Sequence, residues 1–219
     1  MLAWENSSPR GNLRAVLSTI FTSDLFRSHT AAAQKIKTPF EFVASSLRAL
    51  RSANPDGTAT ATTDGLTTSF SDPMNRMGGM LLFDRAAPDG YPENGAPWIS
   101  AGTLVERIRF LQAFLNSGTG DDAGNNICDP VALLKKKLSA GSWTNPGAVA
   151  DYFLGLLFPG EGMGNLSLYR SAAVNFLNTA DDGVTPSAFS SLSNSSTTYD
   201  TRVRGMVAML MAFQRFQEQ

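Results

Sequence analysis

Residues 87–110, APDGYPENGAPWISAGTLVERIRF, gather the side chains of this chain that have most to offer a ligand. Asp89, Tyr91, Trp98 and Arg107 lie on a Pro/Gly-rich loop that runs into an amphipathic helix. A ring such as Trp98 can stack on a sugar or another planar group, and a guanidinium such as Arg107 can hold a carboxylate through paired hydrogen bonds. No nucleophile with an adjacent base accompanies them, so the segment offers recognition rather than reaction. The same residues have an architectural reading too, in which Tyr91 and Trp98 pin the loop to the helices and Arg107 pairs locally. Lys37, Glu41 and Arg48 form a second rank of ligand- or partner-binding candidates, although Glu41 is also placed to cap its own helix.

Other reactive groups are scarce. His29 is the single histidine, in RSHTAAAQ just past a helix. A triad needs only one histidine, but at such a position the residue serves more simply as a dipole partner or a surface group. Cys128 adjoins Asp129-Pro130, where a helix start would lower a thiol pKa, yet its neighbour Ile127 argues for burial. Asp121, Asp122, Asn125, Asn126 and Asp129 could supply hard oxygen ligands to calcium. They lack the loop spacing that ends in a bidentate glutamate, so they read as a solvated turn, and neither a metal nor a cofactor is expected. Asp181-Asp182-Gly183 likewise reads as a turn after a helix. No Gly-rich phosphate loop, Gly-x-Ser-x-Gly elbow or His-Glu-x-x-His pattern occurs, and nothing selects a carboxylate pair for glycoside hydrolysis. Met74, Met77 and Met80, and again Met206, Met209 and Met211, could form adaptable binding faces, with core filling the simpler reading.

Composition supports a globular protein without strong fields. Of 219 residues, 42% are hydrophobic and only 17% charged, for a formal net charge of −1. No basic surface emerges to attract nucleic acid, since the Lys/Arg residues are dispersed apart from Lys135–Lys137. One cysteine permits no internal disulfide. No apolar run is long enough to span a membrane, and the N-terminus lacks the pattern of a signal peptide.

The elements that must position these residues are helices. Leu13, Val16, Leu17, Ile20 and Phe21 make one apolar stripe on a helix ending near Arg27. Thr38-Pro39-Phe40-Glu41 reads as a capping box with proline at the first helical position, opening a helix that carries Phe42, Val43, Leu47 and Leu50. A short helix at 72–82 is weakened by Gly78-Gly79. Ser100, Asp129-Pro130 and Asn145-Pro146 start three more helices, and others are predicted at about 166–178 and 200–216. The run Phe213-Gln214-Arg215-Phe216-Gln217 reads as an extension of the last one. The expected architecture is all-α: one domain over 1–219, an irregular bundle of about seven or eight helices with long polar loops. Residues 54–70 and 187–199 read as flexible loops, and no fixed repeat period appears.

Several segments in order carry a resemblance. IFTSDLFR (20–27) and KIKTPFEFVASSLRAL (35–50) resemble the "TSPEFR" and "KVKTPFEFVVSALRA" runs of the bacterial domain-of-unknown-function family numbered 1800. The likeness continues through Met77-Gly78, Pro88–Pro92, Trp98-Ile99-Ser100, Arg107 and Phe110, and closes on RVRGMVAMLMAFQRFQEQ, similar to "VRGLVALLLSSPEFQ". Members of that family are usually longer, with an N-terminal half bearing an "FWHNHF"-like segment, so the resemblance implies the C-terminal part of a longer architecture. It also implies a periplasmic or extracellular setting beside another exported protein. The lack of a catalytic constellation, together with loop aromatics of the kind enriched at interfaces, makes the leading functional expectation a non-catalytic helical module that binds either that N-terminal half or another exported protein. The alternative is part of a hydrolase-like or small-ligand-binding enzyme, with a pocket around the Tyr91–Trp98 loop.

Overall fold

The computed structural model describes residues 2–27, 35–50, 71–80, 83, 85, 88–92, 95–115, 128–162 and 164–218. His29, the 54–70 loop, and Asp121, Asp122, Asn125 and Asn126 lie outside them. Within the described residues the chain is helical with no strand, and seven helices have seven residues or more. They begin where the sequence supplies oxygen acceptors for orphan backbone N–H groups. Asn12 caps α2 (Leu13–Thr22) by accepting from the N–H groups of Arg14 and Ala15. The predicted capping box opens α4 (Pro39–Leu50): Thr38 N–H donates to Glu41 Oε2 at 2.8 Å, and Glu41 N–H donates to Thr38 Oγ1 at 3.3 Å. Asp129 caps α7 (Pro130–Lys137), Asn145 caps α8 (Pro146–Leu157), and Ser196 caps α10 (Thr197–Ala212). The remaining helices are α1 (Leu2–Glu5), α3 (Asp24–Arg27), α5 (Ser71–Arg76), α6 (Ala101–Leu115), α9 (Ser167–Leu177) and α11 (Gln214–Gln217).

Two elements differ from the periodicity reading. The helix expected over 72–82 stops at Arg76, because Gly78 and Gly79 adopt φ of +137° and +77°, outside the right-handed helical range. The last helix does not run through Phe213. That residue is extended, with φ −64° and ψ 150°, and stacks on Tyr169 with ring centroids 4.7 Å apart. Gln217 then folds back and donates through Nε2 to Met211 O at 2.8 Å, which satisfies a carbonyl at the helix end.

The core is arranged around α10, which packs against α6, α7, α8 and α9. Val203, Met206, Val207, Leu210 and Met211 are fully buried, as the broad apolar face of that helix predicts. Met74 and Met77 also join the core, which favours the filling role for the methionines. Two arginines on α10 bind the ends of its neighbours. Arg204 donates to Leu115 O at 2.8 Å, at the C-terminus of α6, and pairs with Asp200 and Asp129 at 2.6 and 3.1 Å. Arg202 donates to Leu177 O at 3.2 Å, closing α9, and to Ser187 O at 3.0 Å. Cations on these carbonyls complement the negative helix ends. In the serine-rich 187–199 segment, the turn Phe189–Ser191 buries Phe189 against Tyr199, with stacked rings 5.0 Å apart.

The N-terminal helices are different. α2 packs chiefly on α1 and α3, and none of its residues is buried.

Candidate functional site

Lys37, Trp98 and Arg107 come together from three parts of the chain; Asp89 does not join them. Arg107, on α6, is 1% exposed. Its Nη1 donates to Gln217 Oε1 at 2.9 Å, and Nη2 donates to Lys37 O at 2.6 Å and Trp98 O at 3.3 Å. The guanidinium also lies 4.9 Å from the centroid of the Phe42 ring. Every acceptor is neutral, and Nε has no hydrogen-bond partner among the described residues. Burial lowers the guanidinium pKa to about 10, so it remains charged at neutral pH.

Lys37 is buried beside it. The segment before α4 pairs with the C-terminus through an antiparallel bridge between Ile36 and Glu218, and Lys37 N–H donates to Gln217 O at 2.8 Å. This pairing sends the Lys37 side chain over the Phe216 ring, 4.1 Å from its centroid, where Nζ donates to Phe216 O at 2.6 Å. Burial foremost, then the Arg107 charge, draw the ammonium down to about 8, against the opposing pull of Glu41. Two cations thus sit together with carbonyl and amide oxygens as their direct partners.

The loop residues have separate positions. Trp98 ends the 3₁₀ turn Ala96–Trp98, is 2% exposed, and donates through Nε1 to Pro92 O at 2.8 Å. A Cβ on Gly78 would stand 3.1 Å from this ring, so glycine there permits the close approach. Tyr91 is half-buried, 6.1 Å from Trp98 between centroids. Asp89 is exposed and pairs with Arg85 at 3.3 Å. Of the second-rank residues, Glu41 makes the capping box and pairs with Lys35 at 2.7 Å.

Arg48 and Lys37 face a shared cleft of about 610 Å³, formed by α4, residues 156–161 at the end of α8, and the C-terminal turn. Ala49, Leu156, Leu157 and Phe158 supply its apolar wall, and Arg215, Glu161 and Glu218 its remaining charges. Arg215 pairs with Glu161 and, at 4.0 Å, with Glu218. Sequence reasoning did not select Gln217, Arg215 or Glu161. Arg107 and Gln217 are 110 residues apart, and no local spacing reports that they meet.

A family model described as "Protein of unknown function (DUF1800)" matches residues 2–217. The chain belongs to the DUF1800 family. Searches of curated proteins and of solved structures each find no match. The DUF1800 segments quoted for the resemblance supply the buried cations and their oxygen partners: Lys37 comes from the KIKTPFEF run, Trp98 and Arg107 from the central run, and Gln217 from the terminal run.

The other sequence candidates of this DUF1800 chain have structural tasks where they are described. Cys128 is buried, and its thiol is pushed up to about 12, chiefly by burial, so it stays protonated at neutral pH. Asp129 caps α7 and binds Arg204. Asp182 closes a turn by accepting from the N–H groups of Val184 and Thr185 and the Thr185 hydroxyl, which hold its carboxyl down at about 2, the hydroxyl contributing most. No group of three His, Cys, Asp or Glu side chains suited to a metal ion occurs among the described residues. No described helix is long and apolar enough to cross a membrane.

Proposed function

We propose that this DUF1800 chain is a non-catalytic helical module of an exported bacterial protein, and that it binds another protein through the apolar faces of α2 and α3. One observation carries this reading. Leu13, Leu17, Ile20, Phe21, Leu25 and Phe26 are each between 48% and 76% exposed. An amphipathic helix obtains most of its stability in water from burying its apolar stripe, and adjoining exposed apolar side chains of this size mark an interaction surface. The first partner to test is the N-terminal half implied by the family resemblance; a second exported protein comes next. The proposed setting is periplasmic or extracellular.

The alternative pocket around the Tyr91–Trp98 loop has less support. It requires Trp98 and Arg107 to offer a ring face and a guanidinium to a ligand, whereas Trp98 lies against Gly78 and Arg107 against backbone oxygens. The deciding experiment presents the purified chain, and a Leu17→Glu/Phe21→Glu variant, to each candidate partner in pull-down and size-exclusion chromatography. Capture by the wild type and its loss in the variant, with helicity retained, are expected. A wild-type chain that stays monomeric and captures neither partner overturns the reading.

A further inference from the structure

We infer that the cleft between α4, the end of α8 and the C-terminal turn binds a carboxylate carried on a short apolar body. Charge is the first argument. Lys37 lines this cleft, and its ammonium is bonded to a neutral carbonyl rather than to a carboxylate. Arg107, behind it, is likewise bonded only to neutral oxygens. The carboxylate acting on Lys37, Glu41, is already held by Lys35 and the Thr38 N–H. Burying charge without an opposite partner is costly, so an entering anion would relieve a penalty already present in the fold.

The mouth of the cleft supplies the second argument. Arg48 is exposed there and has no ion pair or hydrogen bond among the described residues, while Glu161 and Glu218 are both engaged by Arg215. Lys37, Arg48 and Arg215 therefore outnumber the lining carboxylates by one charge. That surplus fits a monoanion. A carboxylate accepts two parallel hydrogen bonds from a guanidinium such as Arg48, whereas a phosphate dianion would bring more charge than the rim balances. The wall of Ala49, Leu156, Leu157 and Phe158 gives the ligand's apolar portion a surface to cover.

Sodium octanoate, with 1-octanol and octylammonium as probes of the same chain length, tests this by isothermal titration calorimetry at neutral pH. Octanoate should bind at least about tenfold more tightly than either control. Arg48→Gln should weaken octanoate binding by about five- to tenfold while leaving the melting temperature unchanged, because Arg48 holds nothing else in place. Ala49→Trp should abolish binding by filling the cleft. Equal affinities for octanoate and octanol, absence of octanoate binding at millimolar concentration, or an Arg48→Gln variant that binds like the wild type would each overturn the assignment. The Leu17→Glu/Phe21→Glu variant should bind octanoate normally, which separates this site from the protein-binding surface.

Discussion

Arg107 directs its guanidinium at three neutral oxygens, which makes it a tie between chain segments rather than half of an ion pair. Arg107→Met should therefore destabilise the chain by about 2–4 kcal/mol in urea unfolding, because it strands buried acceptors. Arg107→Lys should recover little of that loss, since an ammonium cannot reproduce the planar fork. Sequence reading singled out both Trp98 and Arg107, but it could not choose between a ligand and the core. That choice depends on Gln217 and the Lys37 carbonyl, which meet Arg107 only through tertiary structure. Lys37 and Cys128 give opposite pH signatures. The Lys37 pKa falls from 10.5 unfolded to about 8 folded, so below pH 8 both states are charged and the fold carries the burial cost. Between these values the folded state loses its proton first, and stability rises with pH. For Cys128 the folded value of about 12 exceeds the reference 9.0, so above pH 9 the unfolded state ionises first and stability falls. The wild-type melting temperature should gain on that of Lys37→Met from pH 8 to 10 and lose ground to that of Cys128→Ala above pH 9, by scanning calorimetry across this range.

Helix starts were the most legible elements, because a cap is a local bargain between one side chain and the N–H groups just after it. Thr38-Pro39-Phe40-Glu41, Asp129-Pro130 and Asn145-Pro146 each open the helix their residues predict. Helix ends were less legible. The break at Phe213 is fixed by Tyr169 and by the return of Gln217, neither of which is a neighbour in sequence. At the end of α5, Gly78 combines a φ of +137° with contact against Trp98, so the turn and the buried ring depend on one another. Gly78→Ala should cost about 1–3 kcal/mol, part from the strained backbone and part from the 3.1 Å approach of the new Cβ to the Trp98 ring. Trp98→Ala should cost about 3–5 kcal/mol as a large side-chain deletion from the core. The double variant should cost less than the sum, because removing the ring makes room for the added methyl; a cycle of four urea titrations measures that coupling.

At the scale of the whole molecule, the helices divide by what covers their apolar sides. α10 packs against α6, α7, α8, α9 and α11, and its arginines bind the ends of two of them. α2 has the same kind of periodic stripe in sequence, yet leaves it about half exposed, with no residue buried. Periodicity specifies a face but not its occupant, which is why the sequence made the two helices look alike. The difference gives a thermodynamic prediction. Glutamate at Leu17 and Phe21 replaces side chains that are 49% and 53% exposed, Phe21 also meeting Phe26 edge-to-face at 5.0 Å, so it should lower the unfolding free energy by no more than about 1–2 kcal/mol. Val207→Glu, which buries an unpaired charge in the fully enclosed core, should leave little folded protein at room temperature. If the α2 substitutions instead destabilise the isolated chain by several kcal/mol in urea titration, the stripe is part of its own core, and the surface assigned to partner binding is lost.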